Sequence, residues 1–168
     1  ITIDGSRIQC YHGSNHGYVD FKKSFAKSCN SSFANMSTKI DWNKFEKTLD
    51  KLSFGKTLPF AMETAVSNAN ASENMLIDEK MQTVIGQGET LITPLHLNMI
   101  TSAIANKGKL VEPYLLKSVK NNYGAVIKEF SSSGTSQFMS EEEAAILVGL
   151  MEEVVQKGTA TKLLDKGY

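Results

Sequence analysis

The stretch over residues 93–108 constrains the fold of this chain most strongly. Thr93 is a favourable helix N-cap, and Pro94 takes the first helical position, where the missing N–H of proline is tolerated. The residues that follow recur at helical spacing, and the apolar ones cover much of the circumference: Leu95, Leu97, Met99, Ile100, Ala103 and Ile104. A helix of this kind is expected to be buried. The sequence therefore predicts a buried helix that ends at Gly108.

Further helices are predicted from caps and apolar spacing. Asp20 and Asp41 are suitable N-caps, and Ser140 with Glu143 three residues later is a capping box. Five further helices are predicted. The first follows Asp20, the second carries Phe33, and the third follows Asp41 and ends before Gly55. The fourth runs from Ser140 to Gly158, and the fifth follows Thr159. The three glutamates after Ser140 lie in a first turn, where the helix dipole favours negative charge. They therefore need no catalytic explanation.

Strands are predicted at several places where β-branched and aromatic residues lie between turn signals. Asp4 and Gly5 form a hairpin turn signal. The predicted strands are residues 1–3 and 7–11 of that hairpin and residues 83–85, 109–111, 114–119 and 125–130. Residues 65–80, with one helical turn, and residues 131–136 are predicted as surface loops. The predicted order begins with several helices and continues with the helix after Thr93, a β-hairpin and a further helix. This order indicates an α+β fold with part of an antiparallel sheet.

Composition restricts the classes of function. The 168 residues suffice for one domain, and 18 basic residues balance 18 acidic ones. A net charge of zero argues against nucleic-acid binding or membrane-surface binding based on bulk charge. No apolar run approaches the roughly 20 residues of a membrane-spanning helix. The chain opens in the middle of a pattern, at Ile1, and we expect it to be the interior of a larger protein.

The cysteines and histidines leave their chemistry open. Cys10 and Cys29 could form a disulfide, but sequence alone cannot set their separation, and two buried thiols are the commoner case. The spacing of cysteines and histidines does not match a zinc motif, so no metal and no cofactor are predicted. The expected role of His12, His16 and His96 is at the surface or in packing.

The tripeptide Ser28-Cys29-Asn30 carries the chemistry that the sequence offers. In a loop between two helices, a hydroxyl and an amide two residues apart can both face one cleft. A hydroxyl can pass a proton, and an amide can hold a carbonyl or an N–H of a substrate. An ordinary polar loop between helices is the alternative explanation of the same three residues.

Several ordered stretches make the chain similar to the transpeptidase domain of penicillin-binding proteins, in particular the monofunctional (class B) kind. The matching pieces are Ser28-Cys29-Asn30 with Phe33, Phe54-Gly55-Lys56-Thr57, Ile85-Gly86-Gln87-Gly88, Thr93-Pro94-Leu95-His96-Leu97, Ala105-Asn106-Lys107-Gly108, Glu112-Pro113, and Val154-Val155 with Gly158-Thr159-Ala160. The resemblance spans nearly the whole chain. It implies a β-lactamase/transpeptidase-like fold, with a helical subdomain beside part of an antiparallel sheet.

Two of the three signature motifs of that family are expected outside this chain. The motifs are Ser-x-x-Lys, Ser-x-Asn and Lys-Thr/Ser-Gly, and only the second is present, at Ser28-Cys29-Asn30. Ser24-Phe25-Ala26-Lys27 fits the first motif literally but lies too close to Ser28, and Lys157-Gly158-Thr159-Ala160 follows a helix instead of forming a strand. Residues 1–168 are therefore predicted to be a partial transpeptidase domain, inactive by itself.

The resemblance implies serine acyl transfer on peptidoglycan. The substrates would be D-Ala-D-Ala stem peptides, with β-lactams as inhibitors. Ser28 would relay a proton, Asn30 would bind the substrate amide, and Cys29 would turn inward to pack. The intact protein would lie on the extracytoplasmic face of a bacterial membrane, held by an N-terminal anchor outside this chain. Cell-division or elongation proteins could bind its other domains.

Two alternatives remain open at this point. The same fold could serve a non-catalytic β-lactam sensor or scaffold, because a fold does not fix a function. The chain could also be an unrelated helical binding module with chance motif matches. The Ser28 and Asn30 pair favours an enzyme over a silent scaffold, and the order of the matches disfavours chance.

Overall fold

The computed structural model describes residues 1–132 and 134–166 as an α+β arrangement. The helices are α1 (Phe21–Ala26), α2 (Asn30–Met36), α3 (Trp42–Lys51), α4 (Ile77–Thr83), α5 (Pro94–Ala105) and α6 (Glu141–Lys157), with short 3₁₀ helices at Tyr11–Gly13 and Thr161–Lys166. The strands are β1 (Thr2–Ile3), β2 (Ser6–Arg7), β3 (Lys109–Val111), β4 (Ser118–Lys120), β5 (Val126–Glu129) and β6 (Thr135–Gln137). Within these residues, no helix combines the length and apolar character that crossing a membrane requires.

The predicted N-caps begin their helices as expected. The carboxylate of Asp20 accepts a hydrogen bond from the Lys23 backbone N–H at 2.7 Å, and Asp41 accepts one from Lys44 at 3.1 Å. The backbone hydrogen bond from Lys44 also holds the pKa of Asp41 below its usual value. At α6, the Ser140 hydroxyl accepts a hydrogen bond from the backbone N–H of Glu143. The Glu143 carboxylate in turn accepts one from the backbone N–H of Ser140.

Helix α5 supplies one wall of the main core. Met99 and Ala103 pack with Leu58 and Leu110, and Phe138 adds a partly buried ring. The prediction of a buried helix was correct for this side only, because Leu97 is 52% exposed. The helix contacts β3 and α6, so its burial follows those neighbours and not the hydropathy of the helix alone.

A second core forms where α3 meets the segment before α4. Trp42 is buried against Ala71 and Met75, and its indole N–H donates to the Ser37 carbonyl at 3.1 Å. Residues 65–80 are therefore not a surface loop, as the sequence suggested, because two of their apolar side chains pack on this tryptophan. Val84 packs on the same cluster after the end of α4, so the predicted strand at residues 83–85 was also wrong.

The sheet is divided into three antiparallel pairs: β1 with β2, β3 with β6, and β4 with β5. The β1–β2 turn has positive φ at both central residues, 46° at Asp4 and 83° at Gly5, as a type I′ turn requires. Two strand predictions need correction. Strand β4 begins only at Ser118, and β6 begins within the predicted polar loop at residues 131–136, where pairing with Leu110 and its neighbours fixes an otherwise polar segment.

Candidate active site

Ser28 lies at the C-terminal end of α1 in a strained backbone conformation. Its φ is +50°, its N–H donates to the Phe25 carbonyl at 3.1 Å, and the next N–H, of Cys29, donates to Ser24 at 2.9 Å. These two bonds define a Schellman motif with Ser28 at the left-handed position, which glycine usually occupies. The motif ends α1 at once and leaves the side chain of Ser28 exposed to solvent.

Cys29 and Asn30 begin the next helix and point in different directions. Cys29 is the N-cap of α2 and is only 4% exposed, so its side chain turns into the protein as predicted. Asn30 is the first helical residue and is half-buried. Its Nδ2 donates to the Gln9 carbonyl at 3.1 Å, which ties the motif to the segment after β2. The side-chain oxygen keeps its acceptor capacity for a substrate N–H.

Ser28 and Asn30 open onto one groove of about 260 Å³. Its apolar lining comes from three different parts of the chain: Phe25 and Phe33 beside the motif, Val84 and Ile85 after α4, and Val154 of α6. The structure therefore brings both residues of the predicted pair to one groove. The sequence did not identify Val84, Ile85 and Val154 as lining residues, because they are far apart in the chain and carry no polar chemistry.

Helix α6 returns to the end of α1 and closes one side of this region. The Thr159 N–H donates to the Ala26 carbonyl at 3.1 Å, and Lys27 Nζ donates to the Lys157 carbonyl at 2.7 Å. A side chain at Gly158 would clash with the same Ala26 carbonyl oxygen, so glycine permits this close approach. Residues 157–160 are thus a helix end packed on α1 and not a Lys-Thr-Gly strand.

Ion pairs reinforce the same contact. The carboxylate of Glu153 lies 3.0 Å from the ammonium of Lys157 and 3.0 Å from that of Lys22 in α1. Hydrogen bonds from these two lysines, with Lys157 the stronger, hold the pKa of Glu153 below its usual value.

The literal Ser-x-x-Lys at residues 24–27 does not have the geometry of a nucleophile. Ser24 is 2% exposed, and its hydroxyl donates to the Asp20 carbonyl at 2.6 Å inside α1. The Lys27 ammonium is bonded to the carbonyl of Lys157 and not to Ser24. This agrees with the interpretation of the match as coincidental.

The Gly86-Gln87-Gly88 turn lies beside the groove, directly after Ile85. Gly86 and Gly88 have φ of 70° and 67°, a region that glycine adopts without strain. A side chain at Gly88 would lie 2.9 Å from Oε1 of Gln82. The two glycines therefore permit the tight backbone geometry of this turn.

The cysteines and one histidine form a cluster on the inner side of the motif. Cys10 and Cys29 are buried free thiols with their sulfurs 3.8 Å apart, and a ring nitrogen of His16 lies within 4.8 Å of both. Burial raises the pKa of the Cys10 thiol, but hydrogen bonds from Ser31, Cys29 and Asn30 outweigh it and leave the pKa below its usual value. The fold thus brings His16 next to two cysteines that lie 6 and 13 positions away from it in the sequence.

His96 has the packing role that the sequence predicted. It is fully buried in α5, its Nε2 lies 2.6 Å from the Leu52 carbonyl oxygen, and its ring packs on Phe54 with centroids 4.7 Å apart. The histidine therefore joins α5 to the end of α3 and lies outside the groove lining.

The fold and the groove define a class: an α+β domain with a Ser-x-Asn motif between two helices. Residues 2–168 match the family model described as the penicillin binding protein transpeptidase domain. The chain therefore belongs to the penicillin-binding protein transpeptidase family.

Solved structures and curated proteins agree with this assignment. PBPA from Mycobacterium tuberculosis superimposes with a TM-score of 0.82 at 26% identity, over 93% of this chain and 36% of that chain. Stage V sporulation protein D of Bacillus subtilis is 25% identical over 99% of this chain and 26% of its own length. The peptidoglycan D,D-transpeptidase PbpA of Mycolicibacterium smegmatis is 29% identical over 83% of this chain and 29% of its own length. The chain thus spans between a quarter and a third of these curated relatives, and the predicted α+β fold is confirmed.

Proposed function

We propose that this chain is the central part of a peptidoglycan D,D-transpeptidase domain, in a protein that cross-links the bacterial cell wall by serine acyl transfer. Residues 1–168 would lack the upstream Ser-x-x-Lys segment and the downstream Lys-Thr-Gly strand, and would be inactive by themselves. The observation that carries the proposal is the shared groove of Ser28 and Asn30, with the residue between them turned inward.

The names of related proteins support the same reaction class. The M. smegmatis relative is named a peptidoglycan D,D-transpeptidase. Structures of penicillin-binding protein A from M. tuberculosis are titled as acyl-enzyme complexes with imipenem, at a TM-score of 0.83 and 25% identity, and with penicillin G, at a TM-score of 0.80 and 27% identity. Covalent acylation by β-lactams is therefore a property to be tested in this protein.

The proposed reaction has two steps. A serine outside this chain attacks the carbonyl carbon of the penultimate D-Ala, the C–N bond breaks, and the terminal D-Ala leaves as an amine that takes up a proton. An acceptor amine of a second stem peptide then attacks the ester and releases the serine. Each step moves one proton between oxygen and nitrogen, so a hydroxyl close to both atoms can serve as the relay.

Ser28 and Asn30 supply the two functions that this chain can contribute. The Ser28 hydroxyl, exposed in the groove, would pass the proton to the leaving amine. The Asn30 side-chain oxygen would accept a hydrogen bond from the substrate amide, while its Nδ2 stays bonded to Gln9. That bond fixes the orientation of the amide before substrate arrives, which lowers the entropic cost of positioning.

The setting of the reaction follows from its substrate. The cell wall, whose stem peptides are cross-linked, lies outside the bacterial cytoplasmic membrane, so the domain would act on the extracytoplasmic face. An N-terminal anchor outside this chain would hold the class B protein there. Division or elongation proteins would bind through other domains of the protein.

The test is the rate at which the intact protein reacts with a fluorescent penicillin. Ser28→Ala should slow acylation by about 10²–10⁴-fold, the usual contribution of a general acid–base group. Ser102→Ala, at an exposed position of α5, is the matched control and should react at the unchanged rate. Acylation of the Ser28→Ala variant at the rate of the control would remove Ser28 from the mechanism.

A further inference from the structure

We propose that Cys10, His16 and Cys29 bind a zinc ion. The ligand atoms, two Sγ and a ring nitrogen of His16, all lie within 4.8 Å of one another. Thiolate sulfur and imidazole nitrogen are the ligands that zinc takes in protein sites. The three residues come from the segment after β2, the loop after the first 3₁₀ helix, and the N-cap of α2, so an ion here would join three separate parts of the chain.

The distance between the sulfurs fits a tetrahedral metal. Two sulfurs that each lie about 2.3 Å from a tetrahedral zinc are about 3.8 Å apart. The Cys10 and Cys29 sulfurs are 3.8 Å apart, whereas a disulfide bond would need about 2.05 Å. The site therefore needs no movement of the thiols to accept the ion.

The surroundings of His16 support a bound metal ion independently of the distance between the sulfurs. Its Nδ1 is shielded from solvent and has no hydrogen-bond partner among the described residues. An imidazole nitrogen in that position is costly unless something binds it. A metal within reach of both thiols would satisfy it, because neutral imidazole coordinates through its lone pair.

The surroundings provide supporting hydrogen bonds and a route of entry. The Ser32 hydroxyl donates to the Cys29 sulfur at 3.3 Å, and the Ser31 hydroxyl lies 3.6 Å from the Cys10 sulfur. Such outer contacts orient metal ligands. An open groove of about 420 Å³ reaches all three ligands and is lined by polar residues, among them Ser14, Asn15 and Asn35. A water molecule from that groove would take the fourth coordination position.

The position of the site gives it a structural role. Cys29 lies between Ser28 and Asn30, and Gln9, which accepts the hydrogen bond from Asn30, directly precedes Cys10. An ion bound by both cysteines would hold the two ends of that hydrogen bond together and fix the motif. This consequence for catalysis rests on the function proposed above, whereas the metal site itself does not.

The test is metal binding by the intact protein, reduced with a phosphine and freed of metal by a chelator. Cobalt(II) should bind one ion per chain, with thiolate-to-cobalt charge-transfer bands and the visible bands of a tetrahedral centre, and zinc should displace it. His16→Ala should weaken zinc binding by at least about 100-fold. Loss of a group that only hydrogen-bonds to a metal ligand would weaken it less. His12→Ala is the control: it removes an exposed histidine four positions away, in the 3₁₀ helix just before this loop, and should bind zinc as tightly as the unmodified protein.

Three results would overturn the proposal: cobalt bound without thiolate bands, equal zinc affinity of the His16→Ala and His12→Ala variants, or no binding at all. The double variant Cys10→Ser with Cys29→Ser should lose the charge-transfer bands entirely, and circular dichroism checks that it is folded. The spectra do not depend on acylation. A protein that binds cobalt through its thiols but does not react with penicillin would refute only the proposed function.

Discussion

Replacing Ser28 by glycine should stabilise the protein while slowing its reaction with penicillin. At a φ of +50°, a residue with a Cβ carries left-handed strain of about 1–2 kcal/mol. Glycine removes that strain but costs about 0.5–1 kcal/mol of additional unfolded-state entropy. The expected net gain in the free energy of unfolding is therefore about 1 kcal/mol.

Ser53 offers a matched control for the backbone effect. It occupies the same Schellman position at the end of α3: its φ is 71°, its N–H donates to Asp50 at 3.1 Å, and the following N–H, of Phe54, donates to Leu49 at 3.0 Å. Ser53→Gly should give the same gain in stability. Because Ser53 lies outside the groove that holds Ser28 and Asn30, its replacement should leave the acylation rate unchanged.

The assay combines urea unfolding with the rate of penicillin acylation for both variants. Ser28→Gly should gain stability and lose about 10²–10⁴-fold in acylation rate, since the hydroxyl relay is gone. A stability loss with Ser28→Gly but not with Ser53→Gly would show that the Ser28 side chain supports the fold. A gain in stability with full acylation would show that Ser28 has no catalytic task.

Other substitutions test the packing around the site. Gly158→Ala would place a Cβ against the Ala26 carbonyl and 2.7 Å from Cα of Val154, and should destabilise by about 1–3 kcal/mol in urea unfolding. Gly149→Ala in the same helix meets no atom within 4 Å and should instead stabilise by about 0.5–1 kcal/mol; equal effects of the two would refute the close helix contact. Trp42→Ala should cost about 3–5 kcal/mol by calorimetry, and a loss under 1 kcal/mol would contradict the second core.

Local signals in the sequence were sufficient for most of the helices. Asp20, Asp41, Thr93 and Ser140 cap as expected, because a cap is decided by a side chain and N–H groups two or three residues away. The pairing of Ser28 with Asn30 in one groove was also predictable. In a short connection between two helices, residues two positions apart, such as Ser28 and Asn30, can both face the same groove.

Features that depend on distant partners were not predictable. The apolar residues at 71 and 75 are buried in a cluster with Trp42, and β6 pairs with a strand that begins at Lys109. The cluster of Cys10, His16 and Cys29 matches no consecutive zinc spacing, since three separate segments bring its ligands together. Tertiary contacts decided all of these features, and they leave no periodic mark on the local sequence.

The most direct test of the proposed function is to locate the acyl group after the intact protein has reacted with penicillin G. Mass spectrometry of the digested protein should find one acyl group, on a serine of a Ser-x-x-Lys segment outside residues 1–168. The 168-residue chain by itself should remain unmodified. An acyl group on Ser24 or on any other serine of this chain, or an intact protein that does not react, would contradict the proposal.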